Sequence, residues 1–297
     1  MIKWATIFIS MILEAIPFIL IGAIVSSLIQ LYIEEDLVKR ILPKNKLIAM
    51  IFAAFLGIFI PICECAIIPI ARSLIKKGVP IYIAIVFMLT VPIVNPIVIL
   101  STFFAFNDIN IILIRVFGGV ISAIIIGLLI ELLINKNEKV IKINGSYKSL
   151  CDCGCENNNY FYNKSKVRLC IEHSTKEFLN ILNYYIFGSL LSSIFIIIVD
   201  EELIINYSSG LIVSIFILMA LAFLLSICSE ADAFIARGFL EYFGIPSIVS
   251  FLILGPMLDL KNTIIMFSCF KKSFVLKLIA LIFLIVFGIS VSTVFII

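Results

Sequence analysis

Apolar residues fill most of the chain in long stretches that polar residues interrupt at few points. A membrane-spanning helix needs about 20 mostly apolar residues. Five stretches meet this length, near residues 4–33, 80–106, 108–134, 178–199 and 273–297. Three more, at 47–76, 209–235 and 246–270, are interrupted by proline or acidic residues. The pattern predicts an all-α polytopic membrane protein with eight apolar segments.

Composition agrees with this fold class. Hydrophobic residues make up 63% of the chain and charged residues 14%, whereas a soluble domain is about half apolar and a quarter charged. The first stretch, Trp4 to Ile33, is too long for the apolar region of a signal peptide and lacks a small-residue cleavage site, so we expect a permanent helix. The small net charge of +3 gives no reason to expect a nucleic-acid partner.

The two halves of the chain carry the same motifs in the same order. Four motifs of the first half recur about 165 residues later in the second. Gly22-Ser26 recurs as Gly188-Ser192, Ile70-Ala71-Arg72 as Ile235-Ala236-Arg237, Gly78-Val-Pro80 as Gly244-Ile-Pro246, and Pro92-Asn95 as Pro256-Asp259. Chance similarity between apolar segments rarely keeps such a register. The chain is therefore predicted to contain an N-terminal membrane repeat at 1–134, a polar, Cys-rich cytoplasmic linker at 135–177 and a C-terminal membrane repeat at 178–297.

Loop charges suggest a topology, because Lys and Arg near the ends of spans favour the cytoplasm. If 47–76 and 209–243 are re-entrant hairpins, 19 of the 22 Lys and Arg residues, Lys261 included, face the cytoplasm. Lys3, Arg115 and Arg237 then face outside. Each half would have three spans and one hairpin, and an odd number of spans inverts the second half relative to the first. Eight full spans are the alternative.

Breaks in the apolar segments fall at equivalent places in the two halves. They are Pro61–Cys65 and Pro92–Pro96 in the first half, and Cys228–Asp232 and Gly255–Asp259 in the second. Interrupted backbone at membrane depth survives only where protein or a water-filled cavity surrounds it. We therefore expect the breaks to meet around a shared passage.

Carboxylates and thiols lie at these breaks. An unpaired carboxylate inside a membrane is costly, so those at the breaks either bind protons or cations, or pair with a helix N-terminus, Arg115 or Lys261. Cys63 and Cys65 either converge on a soft metal or metalloid or are small packing residues, and Cys228 could add a third sulfur. The candidate pathway residues are Cys63, Glu64, Cys65, Pro69, Pro92, Asn95, Pro96, Cys228, Glu230, Asp232, Pro256 and Asp259.

The linker contains a second group of thiols. Its sulfur and nitrogen donors are enough for tetrahedral zinc or a trivalent metalloid. They come from Cys151, Cys153, Cys155, Cys170 and His173. The spacing is not the usual pair of Cys-x₂-Cys motifs, so free thiols in a reducing cytosol are the alternative. No other cofactor is expected. Because the sequence has no Ser/His/Asp candidate within the membrane, no P-loop glycine pattern and no metalloprotease helix, it predicts a protein that is not an enzyme.

Several of these motifs together resemble a known family. They are Pro61-Ile-Cys-Glu-Cys-Ala-Ile-Ile-Pro69, Lys77-Gly-Val-Pro80, Pro92-Ile-Val-Asn-Pro96, Ser226-Ile-Cys-Ser-Glu-Ala-Asp232 and Leu254-Gly-Pro-Met-Leu-Asp-Leu-Lys-Asn262. The combination is similar to the predicted bacterial permeases typified by the organoarsenical efflux permeases. That resemblance implies a multi-pass permease of the bacterial plasma or inner membrane. For the best-known branch it implies export of trivalent organic arsenicals without ATP hydrolysis by the chain itself.

The sequence thus predicts a permease that binds its substrate where the breaks of the two halves meet. The expected substrate is a small thiol-reactive solute, such as a trivalent (organo)arsenical or a soft metal species. The alternative is a membrane subunit that transports or senses a metal or another small solute together with a partner protein, which would dock at the cytoplasmic loop.

Overall fold

The computed structural model describes residues 2–32, 42–43, 45–59, 64–134, 140–141, 166–198 and 210–295. These ranges contain twelve α-helices and no strand, apart from an isolated bridge between Ile141 and Phe270. The first half comprises α1 (Ile2–Tyr32), α2 (Lys46–Phe59), α3 (Glu64–Lys76), α4 (Ile81–Val94), α5 (Pro96–Phe106) and α6 (Ile109–Leu133). The second comprises α7 (Lys166–Ile198), α8 (Leu211–Leu225), α9 (Asp232–Phe239), α10 (Ile245–Met257), α11 (Leu260–Cys269) and α12 (Lys272–Ser292), with a final 3₁₀ turn at Thr293–Phe295. The predicted all-α fold is confirmed.

Three helical units in each half are long and apolar enough to cross a membrane. They are α1, α6, α7 and α12 as single helices, the continuous apolar run of α10 and α11, and the pair α4 and α5, which is bent by 41°. The other described helices, α2, α3, α8 and α9, have 14, 13, 15 and 8 residues, fewer than the about 20 that a span needs. The helix lengths therefore fit six spans better than eight.

The short helices of the first half form a hairpin. A Cβ atom on Gly57 would lie 2.7 Å from Val91 Cα, and one on Gly127 would touch both Val86 and Met50. Residue numbers therefore rise in the same direction along α2 and α4, so the two helices are parallel. Because only residues 77–80 connect α3 to α4, α3 must return the chain to the side on which α2 began.

The second half repeats this arrangement. Ser250 Oγ donates to the Ile215 carbonyl (3.5 Å), and a Cβ on Gly255 would lie 4.0 Å from Ala222 Cβ, so α8 and α10 also run parallel. The short connection 240–244 then makes α9 the returning arm of a second hairpin. Both geometries support the predicted hairpins at 47–76 and 209–243.

Helix packing recurs between the halves and joins them. Three helix pairs of the first half have counterparts in the second: α2–α4 corresponds to α8–α10, α4–α6 to α10–α12, and α3–α4 to α9–α10. Across the halves, α3 packs on α11, and the equivalent helix α9 packs on α5. Equivalent helices α1 and α7 also pack together. They are antiparallel, because Tyr185 hydrogen-bonds the Met11 carbonyl (3.1 Å) and Ser27 the Cys170 carbonyl (3.1 Å). The inversion of one whole half relative to the other stays a prediction.

Two residues depart from the topology that loop charge suggests. Lys261, counted among the cytoplasmic cations, is only 3% exposed within the first turn of α11, and Arg115, expected outside, is 1% exposed within α6. The loop charges did not predict this burial, because a count of charges does not detect partners in the protein interior. The sides of the membrane stay a prediction. Helix α7 begins at Lys166, so the end of the proposed linker is helical; the division into two membrane repeats and a linker stays a prediction.

Candidate functional site

A cavity of about 100 Å³ lies between the two halves. The first half contributes α1 and the start of α3, and the second contributes α7, the break between α8 and α9, and the start of α11. The lining residues are Met11, Glu14, Ala15, Phe18, Glu64, Cys65, Tyr185, Ser226, Ile227, Cys228, Ala231 and Lys261. Two of the predicted breaks, at 61–65 and 228–232, therefore contribute residues to one cavity.

The start of α3 provides a carboxylate and a thiol. Glu64 and Cys65 are each 2% exposed and occupy the first turn of the helix, where unpaired backbone N–H groups favour negative charge. Glu64 Oε2 is buried and accepts no hydrogen bond from a described residue. This oxygen is therefore available to a solute in the cavity.

The start of α11 provides a cation. Lys261 Nζ lies 5.5 Å from the ring centre of Tyr185, close enough for a cation–π contact that replaces part of its hydration. Tyr185 is in turn held by its hydrogen bond to the Met11 carbonyl. Because no carboxylate of the described residues forms an ion pair with Lys261, the cavity presents both a cation and a carboxylate to its contents.

The break between α8 and α9 positions Cys228. Ser226 ends α8 with a left-handed backbone (φ 48°), which is uncommon for residues other than glycine. Its Oγ accepts a hydrogen bond from the Leu260 N–H (3.0 Å), and this bond ties the break to α11. Cys228 follows two residues later and lines the cavity beside Lys261.

A group able to bind a metal lies beside this break. One ligand atom each from Glu14, Cys228 and Glu230 lies within 4.8 Å of the other two. Glu14 comes from α1 of the first half, and the other two residues come from the second half. Glu14 is exposed, and Cys228 and Glu230 are half-buried.

Asp232 has a different environment from Glu64. Its Oδ2 forms an ion pair with Arg115 Nη2 at 2.6 Å, and both side chains are almost completely buried. Arg115 also donates to Thr102 Oγ1 (2.6 Å) and to the Ser229 carbonyl (3.3 Å). The ion pair connects α6 to α9 across the halves and agrees with the structural interpretation of Asp232 that the sequence left open.

The breaks within α4–α5 and α10–α11 carry helix caps. Asn95 Oδ1 accepts from the Ile97 N–H (3.0 Å), and Asp259 Oδ1 accepts from the Asn262 N–H (2.6 Å). Pro96 is the first residue of α5, while Pro92 and Pro256 lie near the ends of α4 and α10. None of these five residues lines the cavity, so their observed contribution is to shape two equivalent breaks.

A buried polar network lies along α3 beyond the cavity. Ser26 Oγ lies 2.7 Å from Ser73 Oγ, donates to Glu177 Oε2 (2.8 Å) and reaches the Pro69 carbonyl (3.5 Å). Glu177 is 4% exposed, although its sequence position suggested a polar linker. This network connects α1, α3 and α7.

The linker candidates are only partly described. Cys170 and His173 lie in α7 and are half-buried, with the Cys170 carbonyl accepting from Ser27. Cys63, Cys151, Cys153 and Cys155 lie outside the described residues. Metal binding by the linker set therefore stays a prediction.

Three polar residues that line the cavity were not among the candidate pathway residues. Glu14 was noticed only as one more carboxylate in an apolar stretch, and Lys261 only as a possible partner of the carboxylates, because its charge favoured a loop. Tyr185 gave no signal, since a tyrosine in a membrane helix is common.

Comparison with known proteins places the chain in a family. The model of the family described as predicted permease, ArsP_1, matches residues 2–295. A Streptococcus mutans protein named as a subunit of a two-component membrane permease complex is 40% identical over 276 residues, covering 92% of this chain and 89% of that protein. UPF0718 protein YcgR of Bacillus subtilis is 39% identical over 284 residues, covering 95% and 93%. No solved structure matches the chain.

Two findings agree: the chain has several apolar helices long enough to span a bilayer, and the family model matches nearly its whole length. The membership also favours a transporter over an enzyme. The chain is a multi-pass cell-membrane protein that belongs to the predicted permease family.

Proposed function

We propose that this permease exports a small thiol-reactive solute, such as a trivalent (organo)arsenical or a soft metal species, and binds it in the cavity between the halves. The observation that carries the proposal is the position of Cys65 and Cys228, which come from opposite halves and line the same cavity. Thiolates select soft metals and metalloids. Glu64 and Lys261 give the same cavity a carboxylate and a cation.

Movement between the halves would give the solute access to each side of the membrane in turn. Antiparallel packing of the equivalent helices α1 and α7 supports an inverted repeat, and in such transporters the halves rock around a central site formed by broken helices. Because Cys65 and Cys228 belong to different halves, rocking changes the distance between their sulfur atoms. A solute held by both thiols in one state would bind more weakly in the other.

The proposal predicts that both cavity thiols are needed for transport. Everted vesicles containing Cys65→Ser or Cys228→Ser should accumulate a trivalent methylarsenical at least tenfold more slowly than wild-type vesicles, with equal amounts of inserted protein. Cys269→Ser is the matched control, since Cys269 is buried at the end of α11 and does not line the cavity. Wild-type flux in both cavity variants would remove the thiols from the mechanism.

A second candidate is a membrane subunit that acts with a protein partner. The name of the Streptococcus mutans relative, a subunit of a two-component membrane permease complex, favours this alternative. Deleting residues 146–165 tests whether the loop between the halves binds the partner. A permease that works alone should transport normally without this segment, whereas a subunit that docks through it should lose transport and the copurifying protein together.

A further inference from the structure

The carboxylates of Glu14 and Glu230 lie close to the Cys228 sulfur, and no described residue pairs with them. Neither carboxylate has a hydrogen bond or ion pair with a described residue, whereas Asp232, two positions beyond Glu230, has Arg115. Glu14 lies about 18 Å along α1 from its first residue, at a rise of 1.5 Å per residue, within the apolar helix that is long enough to cross the bilayer. Carboxylates at this depth are costly unless a cation or water stabilises them.

A second observation points to a ligand at the same place. Glu64 is 2% exposed, its Oε2 has no hydrogen-bond partner among the described residues, and it lines the cavity together with Glu14 and Cys228. A buried and unsatisfied carboxylate oxygen costs several kcal/mol or more if nothing binds it. Carboxylate oxygens without a hydrogen-bond partner among the described residues are therefore found both at the exposed Glu14 and at the buried Glu64.

We propose that Glu14, Cys228 and Glu230 bind a thiophilic divalent cation, of the class of Zn²⁺, Co²⁺ or Cd²⁺, as the transported substrate. This inference rests on the proposed permease function and narrows its substrate class. One sulfur and two carboxylate oxygens suit borderline and soft divalent metals, which accept sulfur, nitrogen and oxygen ligands. Mg²⁺ and Ca²⁺ prefer oxygen ligands alone, and a trivalent arsenical favours several thiolates, of which this group has one.

The geometry allows the three ligands to close on one ion. In tetrahedral coordination with bonds of about 2.0–2.3 Å, ligand atoms lie roughly 3.3–3.8 Å apart. The three ligand atoms lie within 4.8 Å of one another. Side-chain rotations that move these atoms by about 1 Å bring all three within bonding distance of one ion. Binding replaces the thiol proton of Cys228, which passes to solvent, and the resulting sulfur–metal bond joins a thiolate to the cation.

The origin of the ligands connects binding to transport. Glu14 belongs to α1 of the first half, and Cys228 and Glu230 belong to the break in the second half. A movement of one half against the other separates Glu14 from the other two ligands and weakens the site. Glu64 lies deeper along the same cavity and is the next acceptor for a released cation.

Metal binding by purified full-length protein tests the site directly. The background carries Cys151→Ser, Cys153→Ser and Cys155→Ser, which remove three of the four linker thiols and leave Cys170, and Co²⁺ is the probe. We expect one bound Co²⁺ with a thiolate-to-cobalt charge-transfer absorption. Cys228→Ser should abolish this absorption, whereas Glu14→Gln and Glu230→Gln should keep it and weaken binding at least tenfold, or about 1.4 kcal/mol.

Two matched controls separate the site from general effects on the protein. Cys269→Ser removes a buried thiol elsewhere, and Glu241→Gln removes an exposed carboxylate after α9; both should bind Co²⁺ like the background protein. The proposal is overturned if the background protein binds no Co²⁺, or if the absorption survives in Cys228→Ser. It is equally overturned if both carboxylate variants bind with unchanged affinity.

The flux assay distinguishes failure of this site from failure of the proposed function. Suppose that Co²⁺ binds through Cys228 but that the Cys65→Ser and Cys228→Ser variants transport normally. This result would contradict the thiol-dependent mechanism and leave the metal site standing. Arsenical flux that depends on Cys228, without any Co²⁺ binding, would contradict the metal site and leave the permease mechanism standing.

Discussion

Glu64 and Asp232 illustrate how one residue class serves two purposes in this protein. Both carboxylates lie in the first turn of a short helix after a break, and both are 2% exposed. Asp232 is neutralised by Arg115 at 2.6 Å. Glu64 has a cavity beside it and an oxygen without a described partner. Asp232 Oδ1 also lacks a described partner, but its Oδ2 joins the two halves through Arg115. Under the proposed function, Glu64 faces the substrate instead.

Breaking the Arg115–Asp232 ion pair should destabilise the protein. Asp232→Asn leaves the Arg115 charge buried without its counter-ion, and removing one member of a buried ion pair costs about 3–5 kcal/mol. We expect less monodisperse protein after heating, measured by size-exclusion chromatography. Arg115→Met combined with Asp232→Leu should recover part of the loss, because neither variant side chain carries a buried charge.

A contrasting result would move Asp232 into the transport pathway. If Asp232→Asn is as heat-resistant as the wild type but inactive in vesicles, its carboxylate acts on the substrate instead of on the fold. Arg115→Met alone is the informative companion, since it leaves the Asp232 carboxylate buried without its cation. That variant should be less stable than the double variant.

The sequence revealed those site residues that contrast with their surroundings. Glu64, Cys65 and Cys228, which line the cavity, and Glu230, which lies beside Cys228, were candidates because they interrupt apolar segments beside prolines or other polar groups. The positions of Lys261 and Tyr185 at the cavity were not predicted, because only the packing of α7 against α11 brings them there. A linear pattern contains no information about which distant helices touch.

At the scale of the helix, glycines allow the hairpin arms to approach their neighbours. A Cβ atom on Gly57 would come within 2.7 Å of the Val91 backbone, and one on Gly22 within 2.9 Å of the Ala66 backbone. Backbone atoms cannot move aside as the end of a flexible side chain can. Close packing of α2 on α4, and of α1 on α3, therefore requires a residue without a side chain at both positions.

Replacing Gly57 by alanine should loosen the first hairpin. The added methyl overlaps Val91 and Val94, and overpacking of this kind costs roughly 1–3 kcal/mol. Gly288→Ala is the control, because no atom lies within 4 Å of the corresponding Cβ position in α12. Thermal unfolding followed by size-exclusion chromatography should show a lower midpoint for Gly57→Ala and no decrease for Gly288→Ala. Equal midpoints would contradict the tight contact between α2 and α4.

Sequence patterns predicted the kinds of element better than their ends. The apolar stretches gave eight segments, and the loop charges suggested six spans and two hairpins with eight full spans as the alternative; the lengths of the described helices fit six spans better. The start of α7 was missed, because Lys166, Glu172 and Lys176 made this segment resemble a polar loop. Its buried members, Glu177 and Asn180, are polar residues that hydropathy alone assigns to solvent.

At the scale of the molecule, contacts between the halves are concentrated along α1 and α7. One part of this contact contains Tyr185 and the cavity, and another contains Ser26, Ser73 and Glu177. If the halves rock, these two helices must change their relative position. A covalent link between them should therefore stop the transport cycle while leaving the helices folded.

Ser27→Cys provides such a link, because Ser27 Oγ lies 3.6 Å from Cys170 Sγ. Oxidation should form a disulfide between α1 and α7, for which the S–S distance is about 2.05 Å. A protease site inserted after residue 150 then separates the halves, and the disulfide should keep the two fragments together on a non-reducing gel. We expect transport in vesicles to fall at least tenfold on oxidation and to return with a reducing agent.

The control for this experiment is Ser27→Cys combined with Cys170→Ser, which retains the new thiol but removes its partner. Oxidation should then neither join the fragments nor change the flux. A linked protein that still transports at the wild-type rate would show that α1 and α7 move as one body. The moving boundary would then lie at another contact between the halves, such as α3 with α11 or α5 with α9.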